Sequence, residues 1–205
     1  MDYTSAIAEL LSQHGFRRFM MSRTKVGHLR LVGHLDDRRI DIVLDTGAAS
    51  TVVDLNYCRS EEIAVMDTGQ IGGGGVEGRT HHLYTLGDVR LTLEGLPIHS
   101  DGIFAMDLSH VNQKLMGRGA DRIHAILGAD VLRYHQAVID YATLALFLKE
   151  EPAFPSDPES VKAAARMLAV RGYTAAQISY ELQKWRGLDV AEADKVASIV
   201  LAAKS

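Results

Sequence analysis

The chain has 205 residues, 47% apolar and 23% charged, with a formal charge of −4. That is ordinary globular composition, enough for one large domain or two small ones, and the absence of a basic balance argues against nucleic acid or an acidic membrane as partner. One cysteine, Cys58, excludes an intramolecular disulfide framework and a multi-cysteine zinc site. The acidic start Met1-Asp2-Tyr3 does not read as a secretory signal, and no window approaches the ~18 uncharged apolar residues of a membrane span. A soluble, cytoplasmic protein is the expectation.

In chain order, residues 4–14 read as a short amphipathic helix. Ile7, Leu10 and Leu11 share one face, Thr4 or Ser5 caps the start, and Gly15 ends it. Residues 16–150 read mainly as strands. Leu29 and Leu31 alternate with His28 and Arg30; Ile40, Ile42 and Leu44 alternate with Arg39, Asp41 and the apolar Val43; Asp36-Asp37 turns the chain between them. Residues 54–63 read as a short helix with Leu55, Cys58 and Ile63 inward. Further strands are expected over 80–84, 88–93, 96–100, 136–140 and 144–148, with turns at Glu94-Gly95 and Tyr141-Ala142-Thr143. Pro152, Pro155 and Pro158 mark a stiff linker over 150–158. Beyond it the period becomes helical. Asp157-Pro158 opens one helix, Gly172 stops it, and Thr174-Ala175-Ala176-Gln177 is a capping box opening a second, which ends near Gly187. Asp189 to Glu192 opens a third. The inward stripes are Val161, Ala164, Ala165 and Leu168; Ile178, Leu182 and Trp185; and Ala193, Val196, Ala197 and Val200.

The stretch that carries chemistry runs from Ile42 to Asp54. An apolar strand leads into Asp45-Thr46-Gly47-Ala48, and a second apolar strand leaves it. A carboxylate there sits at a strand end, partly shielded from water, and the glycine lets the backbone turn tightly. Downstream, Gly72 to Gly78 is glycine-rich, and Ala125-Ile126-Leu127-Gly128 precedes a short helix and a final strand pair. Together these pieces resemble the retropepsin-like aspartic proteases over residues 26–149. Asp45 to Ala48 stand in place of that family's catalytic loop, Gly73, Gly74, Gly75 and Val76 in place of its flap, and Ile126, Leu127 and Gly128 in place of its second active-site loop.

The resemblance implies a mainly β protein: a closed retropepsin-like barrel with a short N-terminal helix and a small C-terminal three-helix unit. The domains expected are an N-terminal helical arm (1–22), the protease domain (23–149), the linker (150–158) and the helical unit (159–205). The activity implied is that of an aspartic endopeptidase using no cofactor or metal. Its chemistry needs two carboxylates sharing one proton, since like charges that close cannot both ionise. The chain offers one suitable aspartate, so a homodimer bringing two Asp45 together is implied. Thr46 would brace the two loops, Gly47 would admit the substrate backbone, and the flaps would close over an extended peptide. Ala48, where pepsin-like enzymes more often carry a hydroxyl, removes a hydrogen bond to the carboxylate and implies a less acidic working range. The rival expectation is a catalytically inactive peptide-binding or scaffold module of the same fold. In that case 101–124, with Met106, His110 and Met116, covers the cleft or reshapes the dimer.

Other features read more plainly. A second Asp-Thr-Gly, Asp67 to Gly69, follows Asp45 by only 22 residues and lacks an apolar strand after it, so Asp67 is expected in a turn. His81 and His82 on one strand point to opposite faces and are not expected to share a metal. Cys58 reads as an inert core thiol, and Asp130 as a charge at a helix start. The C-terminal unit is similar to ubiquitin-associated-type three-helix domains, with Arg171-Gly172-Tyr173 in place of their Met-Gly-Phe-like loop. A protein-interaction or dimer-supporting role is the expectation for it. Its seven Lys/Arg against six Asp/Glu over 157–205 give little support to DNA binding.

Overall fold

The computed structural model describes residues 3–72, 81–99, 103–150, 158–170 and 172–203. The chain forms two compact units, Met1–Pro152 and Ala153–Ser205.

The first unit begins with α1 (Tyr3–Gln13), ended by Gly15 at φ 77°. The helix expected over 4–14 is formed; Ile7 and Leu11 on its apolar face are half-buried, while Leu10 is exposed. Next come β1 (Phe16–Met20) and the short β2 (Ser22–Arg23). Within the expected N-terminal arm, β1 is therefore a strand; it pairs antiparallel with β13 (Ala145–Lys149) and buries Phe19 in the core. A hairpin follows, β3 (Leu29–Leu35) and β4 (Arg38–Leu44), its turn taken by Asp36 at φ 53°. Then come β5 (Val52–Asp54), α2 (Leu55–Ser60), β6 (Val65–Gly72), β7 (His81–Leu86), β8 (Leu91–Leu93) and β9 (Leu96–Pro97). As the pattern predicts, Leu55, Cys58 and Ile63 are all buried around α2. The unit continues through β10 (Phe104–Met106), α3 (Ser109–Gly117), β11 (Ala125–Leu127), α4 (Ala129–Tyr134) and β12 (Val138–Asp140) before β13.

Two sheets result. One has the order β1-β13-β12; the other runs β6-β7-β10-β5-β11-β4-β3-β8-β9, with β2 on β3. The expected closed barrel is not formed, because the two ends of this path, β6 and β9, do not pair. The physical reason lies partly in β9, which is two residues long, and its Pro97 has no N–H to give a further strand.

The central strand β4 is buried along both faces. Ile40, Ile42 and Leu44 enter the main core with Leu31, Leu93, Val53 and Leu127. Val43 points the other way, into a smaller cluster with Leu115, Ala120 and Ile123. The segment 101–124, expected over the cleft or at the dimer, thus supplies β10 and, through α3 and the loop after it, a cover for the reverse side of β4 and β11. Asp54, fully buried, anchors that cover. It accepts from Arg122 Nη2 at 2.7 Å, from the Leu108 amide at 3.3 Å and from Asn112 Nδ2 at 3.4 Å.

The second unit is three helices: α5 (Pro158–Val170), α6 (Ala175–Arg186) and α7 (Val190–Ala202). Thr174 and Gln177 form the capping box at α6, and Asp189 caps α7 by accepting from the Glu192 amide at 2.8 Å. Val161, Ala165, Ala169, Ile178, Leu182, Ala193, Ala197 and Val200 form its core, with Ala164, Leu168 and Val196 packed at its margin. The side chain of Trp185, and residues 151–157 of the linker, lie outside the described residues. No helix among the described residues is long and apolar enough to cross a membrane.

Candidate active site

The site is built where the chain crosses itself. β11 pairs parallel with β4, placing Leu127 beside Leu44, and antiparallel with β5, placing Ile126 beside Val52. The chain leaving β4 must therefore pass over the end of β11 to reach β5, and residues 45–51 are that bridge. The chain leaving β11 at Gly128 passes under it.

Close approach dictates the residue at the crossing. A Cβ on Gly128 would stand 2.6 Å from both the carbonyl carbon and the oxygen of Ser50, and 3.0 Å from the Ala48 oxygen. These are backbone atoms, which cannot swing away, so glycine is required. Backbone bonds then tie the two layers. The Asp45 amide donates to the Leu127 oxygen at 3.0 Å, and the Ala129 amide donates to the Ala48 oxygen at 2.8 Å.

Within the bridge, the Gly47 amide donates to Asp45 Oδ1 at 2.8 Å and the Ala48 amide to the Asp45 oxygen at 3.2 Å. A Cβ on Gly47 would lie 3.2 Å from Asp45 Oδ1. Asp45, Thr46 and Gly47 are exposed and Ala48 is half-buried. Among the described residues of a single chain, the expected partial shielding of Asp45 is not found, because the residue is exposed at the strand end. What the geometry provides is one solvent-facing carboxylate on a backbone fixed from beneath. It can accept hydrogen bonds and take up a proton.

The predicted loop residues Asp45 to Ala48 and the predicted Ile126, Leu127 and Gly128 are thus brought into direct backbone contact. The flap residues Gly73, Gly74, Gly75 and Val76 lie outside the described residues; the strands on either side are antiparallel, with Gly72 opposite His81. His81 stacks on His110 of α3 at 4.8 Å between ring centroids, while His82 is exposed. Asp67 sits inside β6, at a register shift, with the Gly69 amide donating to its Oδ1 at 2.8 Å and Gly69 at φ 65°. The expected turn is a local kink within a strand. Among the described residues, no group of three or more His, Cys, Asp or Glu side chains is arranged to hold a metal. The Cys58 thiol is fully buried and burial pushes it up to about 11, which disfavours the reactive thiolate.

One link between the two layers was not among the sequence expectations: the pairing of Thr51, at the end of the bridge, with Asp130. Thr51 and Asp130 are buried and bonded twice: the Thr51 amide donates to Asp130 Oδ2 at 3.0 Å and the Thr51 hydroxyl to Oδ1 at 2.8 Å. Asp130 does lie in the first turn of α4, but its carboxylate is committed to Thr51 rather than simply facing the helix start. The available signal was positional: Thr51 follows one motif and Asp130 the other by a few residues.

No family model matches this chain, and neither does any curated protein. Among solved structures the chain is similar to retropepsin-like aspartic proteases. One is the retropepsin-like aspartic protease from Rickettsia conorii, with 17% identity over 65% of this chain and 91% of that one, at a TM-score of 0.40. A second is the retroviral protease-like domain of Ddi1 from Leishmania major, with 17% identity over 65% and 99%, at 0.41. A third is the EIAV protease complexed with an inhibitor, with 21% identity over 55% and 91%, at 0.37.

Proposed function

We propose that the protein is an aspartic endopeptidase of the retropepsin-like kind, working as a homodimer. The observation that carries this reading is the exposed Asp45, at the end of β4 where the bridge passes over β11, on a backbone held by Leu127 and Ala129. Among the described residues only one carboxylate is so placed, and peptide hydrolysis without a metal or covalent nucleophile needs two. In the dimer, Asp45 of each subunit meets its counterpart, and the two share one proton. The ionised carboxylate takes a proton from water as that water attacks the peptide carbonyl. The protonated one supplies the acid. Thr46 braces the paired loops, Gly47 admits the substrate backbone, and Gly73 to Val76 close over an extended peptide. Residues 23–149 form the protease domain, and the helices from 159 onward support the dimer or a protein contact.

The experiment is cleavage of a peptide library by the wild-type chain and by Asp45→Asn, with sedimentation of both. The reading expects cleavage by a wild-type dimer, and a variant that keeps fold and dimer but not turnover. Unchanged turnover in Asp45→Asn sinks it. A strictly monomeric wild type that binds peptide without cutting it establishes the binding-module alternative instead.

A further inference from the structure

We infer that Asp130, acting through Thr51, is the positioning residue of the Asp45 loop, a role that rests on the protease reading above. Among the described residues, the Asp45 carboxylate accepts one hydrogen bond, from the neighbouring Gly47 amide. Its place in space is therefore set by the backbone of 45–51, and that backbone is gripped from the segment 127–130. Leu127 holds the Asp45 amide, Ala129 holds the Ala48 oxygen, and Asp130 holds Thr51. A further bond links the grips: the Gly128 amide donates to Thr51 Oγ1 at 3.0 Å.

The bonds run in one direction, from Gly128 N–H to the Thr51 hydroxyl and from that hydroxyl to Asp130. The Thr51 oxygen accepts from glycine, so its proton must go elsewhere, and its amide needs an acceptor as well. A carboxylate supplies both acceptors at once, and no other ordinary side chain of this size does. Thr51 is 0% exposed and Asp130 2% exposed, so water does not substitute for a lost partner. An amide at position 130 turns one acceptor into a donor and orphans one Thr51 group. Valine at position 51 keeps the branched shape but cuts the chain of bonds at Gly128, the residue pressed against Ser50 and Ala48. In either case the bridge above loses its fixed seat, and the two carboxylates of the dimer lose their alignment.

The test uses the full-length chain with Thr51→Val, Thr51→Ser and Asp130→Asn, measuring kcat and KM on a cleaved peptide and the amide resonances of Asp45 and Gly47. Thr51→Val and Asp130→Asn are expected to lower kcat by about tenfold to a hundredfold with KM changed less than about twofold. The Gly47 amide shifts in both. Thr51→Ser, which restores the hydroxyl, keeps the wild-type values. Folded Thr51→Val or Asp130→Asn chains with wild-type kcat and an unmoved Gly47 amide overturn the inference, as does a Thr51→Ser chain as impaired as Thr51→Val. Should Thr51→Val fail to fold, Asp130→Asn and Thr51→Ser decide the matter by the same readouts. If the wild-type chain cuts no peptide, the protease reading falls, and the Gly47 resonance alone decides whether Asp130 positions the loop.

Discussion

Gly128 and Ser50 touch backbone to backbone, so closely that a methyl group on Gly128 would sit 2.6 Å from the Ser50 carbonyl. Gly33 is equally crowded, with a Cβ 2.7 Å from Ile42 Cδ1 and 2.8 Å from the Thr92 oxygen, but it lies on β3, opposite Ile40 and five residues below Asp45 on the neighbouring strand. Both Gly128→Ala and Gly33→Ala are expected to destabilise by about 1–3 kcal/mol through overpacking. Only Gly128→Ala is expected to lower turnover per folded molecule. Thermal melts with active-site-normalised rates check this, and equal turnover in both variants would contradict the crossing's role.

Asp45 and Asp67 share one local geometry, each accepting from the glycine amide two residues on at 2.8 Å. They differ in what lies beneath. Asp45→Asn is expected to reduce turnover by about 10²- to 10⁴-fold, and Asp67→Asn to leave it within about twofold of wild type. Parallel rate measurements on the two variants give the comparison.

His135 is fully buried, donates from Nδ1 to the Lys149 oxygen at 2.8 Å, and accepts at Nε2 from the His99 amide at 3.0 Å. Burial pushes its pKa down, against a smaller upward effect of the Lys149 bond; burial also lowers His124, against the opposing pull of Asp41. With folded values below the unfolded ~6.5, the unfolded chain takes up protons first. Stability is then full above about pH 6.5 and is lost as pH falls toward the folded values. The melting temperature of the wild type is expected to drop between pH 7 and pH 5. His135→Leu should melt lower at pH 7, by about 1 kcal/mol per lost bond, and show a shallower pH slope. A slope identical to wild type would remove His135 from this account.

The helical unit has its own core and its own caps, so its stability is expected to be separable. Thr174→Ala removes the acceptor for the Gln177 amide and should cost about 1 kcal/mol. In calorimetry this is expected to shift one transition while leaving the melting of residues 1–152 in place. A single transition that moves as a whole would show the two units to be thermodynamically one.

Much of this was legible locally. The capping box at Thr174, the stops at Gly172 and Gly187 and the inward face of α2 follow from side-chain chemistry within a few residues of each position. So does the alternation along β3 and β4. Leu10, exposed on the apolar face of α1, shows that periodicity reports which residues share a face and not whether anything covers it. The barrel was misjudged because closure depends on whether two distant edges meet, and β9 with Pro97 offers a poor edge.

The site divides in the same way. The sequence by itself determined the two motifs and the tight Asp45–Gly47 turn, because each depends on residue type and near neighbours. The Asp67 copy shows the limit: the same tripeptide makes the same local bond in a strand kink. What singles out Asp45 is the passage of the chain over β11, the bare Cα of Gly128 beneath it and the Thr51–Asp130 bonds between residues 79 positions apart. Those are decided only when β11 inserts between β4 and β5, since no short-range pattern encodes which strand will lie beneath a loop.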